Sequence, residues 1–232
     1  MMGKVWRLLM SCIVFLSVGL ASVSCSKDEY LDYEEMDSYS GKYNAVVTVK
    51  SDESGKVFFQ LDDETTLEPV GWKNPYGGEV RALLNYTELP DDSDSTSRKI
   101  RVNESEPILT LDPTESKSPS RKFKKDNSPV IVYADWLTSC EDGYLTIHIA
   151  ALSSKESSEE RFILDVDPSV PSDFYLRHNR EDDDGELAWK EYMIAFRIYD
   201  FLKPGADGFC QVRLHNYSYE GLLTFSFECK SK

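Results

Sequence analysis

The stretch "FCQVRLHNYSYEGLLTFSFEC", residues 209–229, decides the fold. Two runs of alternating residues flank "YSYEG", whose glycine marks a tight turn. Val212 and Leu214 alternate with Gln211, Arg213 and His215, and Phe225 and Phe227 with Thr224, Ser226 and Glu228. A period of two sends one side chain to a core and the next to solvent. Pairing Leu214 with Phe225 and Val212 with Phe227 puts all four on one face. Slipping one strand by a residue would turn its apolar set outward, so the pattern specifies the register. The same register sets Cys210 opposite Cys229.

The pattern extends backward through "PVIVYADW" (129–136), "GYLTIHIAAL" (143–152), "RFILDVD" (161–167), "DFYLRHN" (173–179) and "EYMIAFRIYDF" (191–201). Seven strands of this length predict a β-sandwich over 129–232. In 143–152, Leu145, Ile147, Ile149 and Ala151 share one face. His148 therefore points the other way, into solvent or against a neighbour.

Residues 41–111 hold shorter strands. "KYNAVVTVK" (42–50) and "KVFFQL" (56–61) read as a hairpin around "SDESG". "TTLEPV" (65–70), "EVRALLNYTEL" (79–89), "RKIRVNE" (98–104) and "PILTL" (107–111) follow. The apolar residues are too few for a large sandwich, and a small closed barrel fits because closure removes exposed edges. Between the blocks, "DPTESKSPSRKFKKDNS" (112–128) has two prolines, several serines and no apolar period, which predicts a linker. The chain is read as all-β, a barrel followed by a sandwich.

The first thirty residues carry an address. Lys4 and Arg7 precede an apolar run from Leu8 to Ala21, too short to span a bilayer as a helix. That is the layout of a secretory signal peptide over 1–24. Val23-Ser24-Cys25 resembles a bacterial lipobox, in which the cysteine is lipidated and becomes the first mature residue; Ser22 departs from the usual leucine. Ordinary cleavage near Ala21 or Ser24 is the alternative. Ser26, Lys27, Asp28 and Glu29 resemble a short acidic export tag toward the outer face of the outer membrane, or form a charged spacer. Residues 25–40 then read as a lipidated acidic tether.

The formal charge is −15, and loss of the leader with its two cations takes it to −17. Only the 112–128 segment is net positive. Neutralising phosphates needs clustered Lys and Arg, so nucleic acid is not an expected partner. Membrane contact is expected through the lipid at Cys25 alone, and the partner is an unknown protein or glycan.

"KVFFQLDDETTLEPV", "VRALLNYTEL", "WLTSCEDGYLTIHIAA", "FYLRHN" and "AFRI" occur in that order. Together they resemble the NigD-like lipoproteins of anaerobic Gram-negative bacteria. The resemblance implies an N-terminal OB-like barrel, a C-terminal immunoglobulin-like β-sandwich, and a label derived from bacteriocin immunity. It implies no catalytic residues.

The residues themselves point to binding rather than catalysis. His148, His178 and His215 stand singly, without the close ligand pairs of a metal site. "REDDDGE" (180–186) lacks the spacing of a calcium loop and reads as a solvated hairpin tip. No nucleophile elbow, phosphate loop or metalloprotease helix is present, and no cofactor or metal is expected. "DST" at 94–96 resembles an O-glycosylation acceptor, with Ser95 as the modified residue. Trp72, Tyr76, Trp189 and Tyr192 are candidates for ligand-facing aromatics, against the alternative of core or rim packing. Cys210 and Cys229 are either bonded, leaving Cys140 free, or a pair of buried thiols.

Overall fold

A computed structural model describes residues 39, 41–90, 96–125, 128–154, 161–179, 187–203, 205 and 208–230. Five short strands, β1 (Ala45–Ser51), β2 (Val57–Gln60), β3 (Thr66–Pro69), β4 (Val80–Glu88) and β5 (Ser97–Pro107), close into a barrel in the order β1-β2-β3-β5-β4. Neighbours are antiparallel except β3 and β5, which run parallel. Val47, Val49, Phe59, Leu67, Leu84 and Ile100 fill the interior with essentially no exposure.

The remaining elements are β6 (Leu109–Leu111), β7 (Thr114–Glu115), α1 (Pro119–Lys125), β8 (Val130–Val132), β9 (Ser139–Glu141), β10 (Tyr144–Ser154), β11 (Arg161–Asp167), β12 (Val170–Asn179), β13 (Leu187–Arg197), β14 (Phe209–Ser218) and β15 (Gly221–Lys230). They form two five-stranded sheets. The first is ordered β6-β13-β10-β8, with β9 also on β10; the second is β15-β14-β12-β11-β7. Leu145, Ile147 and Ile149 from one sheet meet Leu164, Phe174, Leu176, Val212 and Leu214 from the other. The hairpin register is the one the alternation specifies, with Leu214 on Phe225, Val212 on Phe227 and Cys210 opposite Cys229.

Three expectations are corrected. The 112–128 segment is not a linker: β7 adds to β11, and α1 buries Phe123 against the Tyr175 ring at 5.6 Å. A two-residue strand and a seven-residue helix are too short to show a period among serines and lysines. Leu109–Leu111 leaves the barrel and pairs in parallel with β13. The run 191–201 is not one strand, because it breaks after Arg197 and a 3₁₀ turn forms at Tyr199–Phe201.

The disulfide differs as well. Cys229 bonds Cys140 across the sandwich, with Cα atoms 5.5 Å apart, and Cys210 is buried outside that disulfide. Directly opposed strand residues hold their Cβ atoms about 4.5–5.5 Å apart, wider than the ~3.8 Å a disulfide favours. Cys140 on β9 approaches Cys229 from the facing sheet instead. The bond closes a loop with a sequence separation of 89, which corresponds to about 4–5 kcal/mol of chain entropy removed from the unfolded state.

Peptide mapping of the unreduced protein is expected to recover Cys140 linked to Cys229, with Cys210 alkylated only after unfolding. Cys140→Ser should lower stability by about 2–5 kcal/mol in urea titration. A Cys210–Cys229 peptide from native wild type would overturn the assignment.

Candidate functional site

The barrel and the sandwich meet over a mixed apolar and charged junction. Tyr43, Val46, Leu83 and Ile108 pack against Leu137, Tyr144, Met193 and Ala195. Alternation along β4 explains the geometry: Ala82 and Leu84 point into the barrel, while Arg81 and Leu83 point at the sandwich.

Arg81 is fully buried there. Its Nη1 donates to Thr48 Oγ1 at 3.1 Å, its Nε to Thr146 Oγ1 at 3.2 Å and its Nη2 to Glu141 Oε2 at 3.2 Å. Burial pulls the Arg81 pKa down from its ordinary range and pushes the Glu141 carboxyl up. Their ion pair opposes both shifts, so desolvation is the larger effect. A second bridge, Lys50 Nζ to Asp142 Oδ1 at 2.7 Å, runs from the end of β1 to the same hairpin.

That hairpin turns on Asp142-Gly143, whose φ values of 52° and 80° match the left-handed pair of a type I′ turn. A Cβ at Gly143 would stand 3.1 Å from Tyr199 Cβ, so the ring of the 3₁₀ turn lies directly on the glycine backbone. Glu79, Asp142, Gly143, Tyr144, Arg197, Tyr199 and Asp200 thus line a cleft of about 290 Å³. Tyr144 donates its hydroxyl to Glu79 at 2.8 Å, and burial together with that carboxylate pushes the phenol up to about 12. Arg197 is held by Asp112 at 3.0 Å, and the Tyr199 ring is 53% exposed. The cleft therefore combines an open aromatic face, a cation and several carboxylates on a fixed floor.

The sequence-predicted aromatics do not assemble into one platform. Trp72 packs on Phe59 at 4.9 Å and lies 6.3 Å from Tyr76, against the barrel core. Tyr192 packs on the sandwich core and shares a hydrogen bond with Ser153. Trp189 meets Tyr219 at 5.4 Å. His148 faces a neighbour rather than solvent: it is buried, 2.7 Å from Asp135 and beside the Tyr39 and Tyr133 rings. Among the described residues, no group of three His, Cys, Asp or Glu is arranged to hold a metal, and no helix is long and apolar enough to cross a membrane. Cys25, Ser26, Lys27, Asp28, Glu29, Ser95 and the 180–186 acids lie outside the described residues. Sequence reasoning missed every cleft residue. The Asp-Gly dipeptide of "CEDGY" was the signal that a sharp hairpin stands there.

Residues 46–108 match the family described as the NigD-like N-terminal OB domain, and 110–227 the NigD-like C-terminal beta sandwich domain. Solved structures share the fold. One is a "putative toxin related protein" of Parabacteroides distasonis, at 22% identity and TM-score 0.64, covering 81% of this chain and 93% of that one. A NigD-like immunity protein of Bacteroides caccae matches at 18% identity and TM-score 0.56, over 81% and 97% of the two chains. A "putative lipoprotein" of Bacteroides fragilis matches at 16% identity and TM-score 0.50, again over 81% and 97%. No curated protein sequence matches the chain.

The junction makes an asymmetric prediction. Glu141→Ala leaves the wholly buried Arg81 cation without its carboxylate and should cost about 3–5 kcal/mol in urea unfolding. Arg81→Met should cost clearly less, because the Glu141 side chain is 35% exposed and reaches water. Equal losses would refute the account of where the charge is trapped.

Proposed function

This chain belongs to the NigD-like family, and on that premise we propose that it is a lipid-anchored, non-enzymatic binding or protection module of the outer-membrane surface. One observation carries the reading. The cleft at Tyr144 and Tyr199 is built on a junction that two ion pairs and a cross-sheet disulfide hold in place, so it is preformed for a partner. Immunity is the description given to the Bacteroides caccae protein, and shielding a surface component is how such a cleft would express it here. A second reading, glycan capture, rests on the Trp189–Tyr219 pair at the far end of the sandwich, where sugar faces would find aromatic rings.

The anchor is tested with a fatty-acid probe: wild type takes up label and Cys25→Ala does not. Changing Lys27, Asp28 and Glu29 to alanine is expected to keep the label but shield the protein from protease added to whole cells. Digestion of that variant at the wild-type rate would remove the export-tag reading.

The cleft is tested by cross-linking the full chain to its partner in intact outer membranes. Tyr199→Ala with Asp200→Ala should lose the captured species, and Trp189→Ala should not. The reverse pattern would favour the glycan surface, and capture unchanged in both would dismiss both sites.

A further inference from the structure

Among the described residues, the longest strand at a sheet edge with no ladder partner on its outer side is β15. The barrel has no edge, and the first sheet ends on three-residue strands, β6 on one side and β8 with β9 on the other. The second sheet ends on the two-residue β7 at one side. Its other side ends on β15, which is ten residues long and pairs with β14 through ten consecutive positions without a bulge. Natural proteins blunt sheet edges with short strands, bulges, prolines or charge. β15 has none of these from Gly221 to Phe227, "GLLTFSF". Leu222 is 55% exposed and Leu223 38%, and Phe225 and Phe227 are only half-buried although they face the core. β9 reaches this strand through the disulfide, yet its ladder partner is β10.

The geometry points to a second copy of this chain as the occupant, added antiparallel through β15 about a two-fold axis at Phe225. Charge complementarity along the strand favours this partner and narrows the register. Centred on Phe225, the pairing sets Thr224 opposite Ser226, Leu223 opposite Phe227, Leu222 opposite Glu228 and Glu220 opposite Lys230, twice by symmetry. Moving the axis to Thr224 sets Glu220 against Glu228, a like-charge pair. Moving it to Ser226 sets Lys230 against Leu222 and Glu228 against Thr224, and puts Glu220 opposite Lys232, past the end of the strand. Glu220 is exposed, and among the described residues Lys230 pairs with the exposed Glu64 at 3.4 Å, a weak surface contact that leaves the lysine available across the axis. The interface is isologous, as closed dimers require, and it joins two second sheets into one continuous sheet. This inference does not depend on the cleft.

The test uses the full chain extracted from membranes in detergent, with mass measured by light scattering. Wild type is expected as a dimer. Lys230→Glu turns both end pairs repulsive and should weaken dimerisation on the order of tenfold. Glu220→Lys with Lys230→Glu should restore it. Nitroxide labels on Thr224→Cys, and separately on Ser226→Cys, should each show an interchain distance below about 20 Å, as two positions flanking the axis on adjacent strands require. All four positions are on or beside the exposed rim, and melting curves check that each variant stays folded. A monomeric wild type, a dimer indifferent to Lys230→Glu, no rescue by the charge swap, or a different protein found on the strand would each overturn the proposal.

Discussion

One charge taken out of water organises the molecule. The Arg81 guanidinium is fully buried between two β-domains, and an isolated cation there would cost several kcal/mol in lost hydration. Its position is tolerable only because three elements supply oxygens together: Thr48 from β1, Thr146 from β10 and Glu141 from β9. Two of the three belong to the sandwich. Rotating the barrel away would strip the cation of most of its partners at once, so the domains cannot hinge at low cost. The apolar cluster of Tyr43, Leu83, Leu137 and Met193 supplies the burial, and the cation dictates the angle at which it happens.

The constraint passes through five consecutive residues. Cys140 ties the hairpin to β15, Glu141 holds Arg81, Asp142 holds Lys50, Gly143 admits the Tyr199 ring, and Tyr144 bonds Glu79. Each side chain leaves in a different direction because a two-residue turn reverses the chain between Glu141 and Tyr144. A longer loop would spread these groups and lose the simultaneous reach into the barrel, the facing sheet and the 3₁₀ turn. Compression explains why the cleft forms here rather than elsewhere along the junction.

The strands were legible because alternation reports which side of a sheet a residue takes. The β14–β15 register followed from four apolar side chains, and the structure places every one of those pairs as read. Alternation says nothing about which sheet lies opposite. That is why Cys229 could be set beside Cys210 and still be bonded to Cys140. Arg81 fails for a similar reason: in "VRALL" it occupies the polar phase of an alternating strand, and nothing local distinguishes a solvated arginine from one covered by a second domain. Phe123 was hidden among "SRKFKK", where a single buried ring in a short helix leaves no period. The cleft was illegible because its residues come from three separate stretches that only the packed junction assembles.

Tyr144, Thr146 and His148 share one face of β10, and all three are buried. The outer face of the first sheet is therefore closed by the barrel rather than by water. Tyr39, the first residue described, packs edge-on against His148 at that same face. The covered face, Tyr39 and the cleft thus gather on the first sheet. The second sheet carries β15 at its rim, and its outward face shows Tyr217, Arg213 and Leu222. With one sheet committed to the barrel, the second sheet has its outward face free of the barrel, and its one long edge is β15, whose Gly221–Phe227 stretch carries none of the common devices against edge pairing.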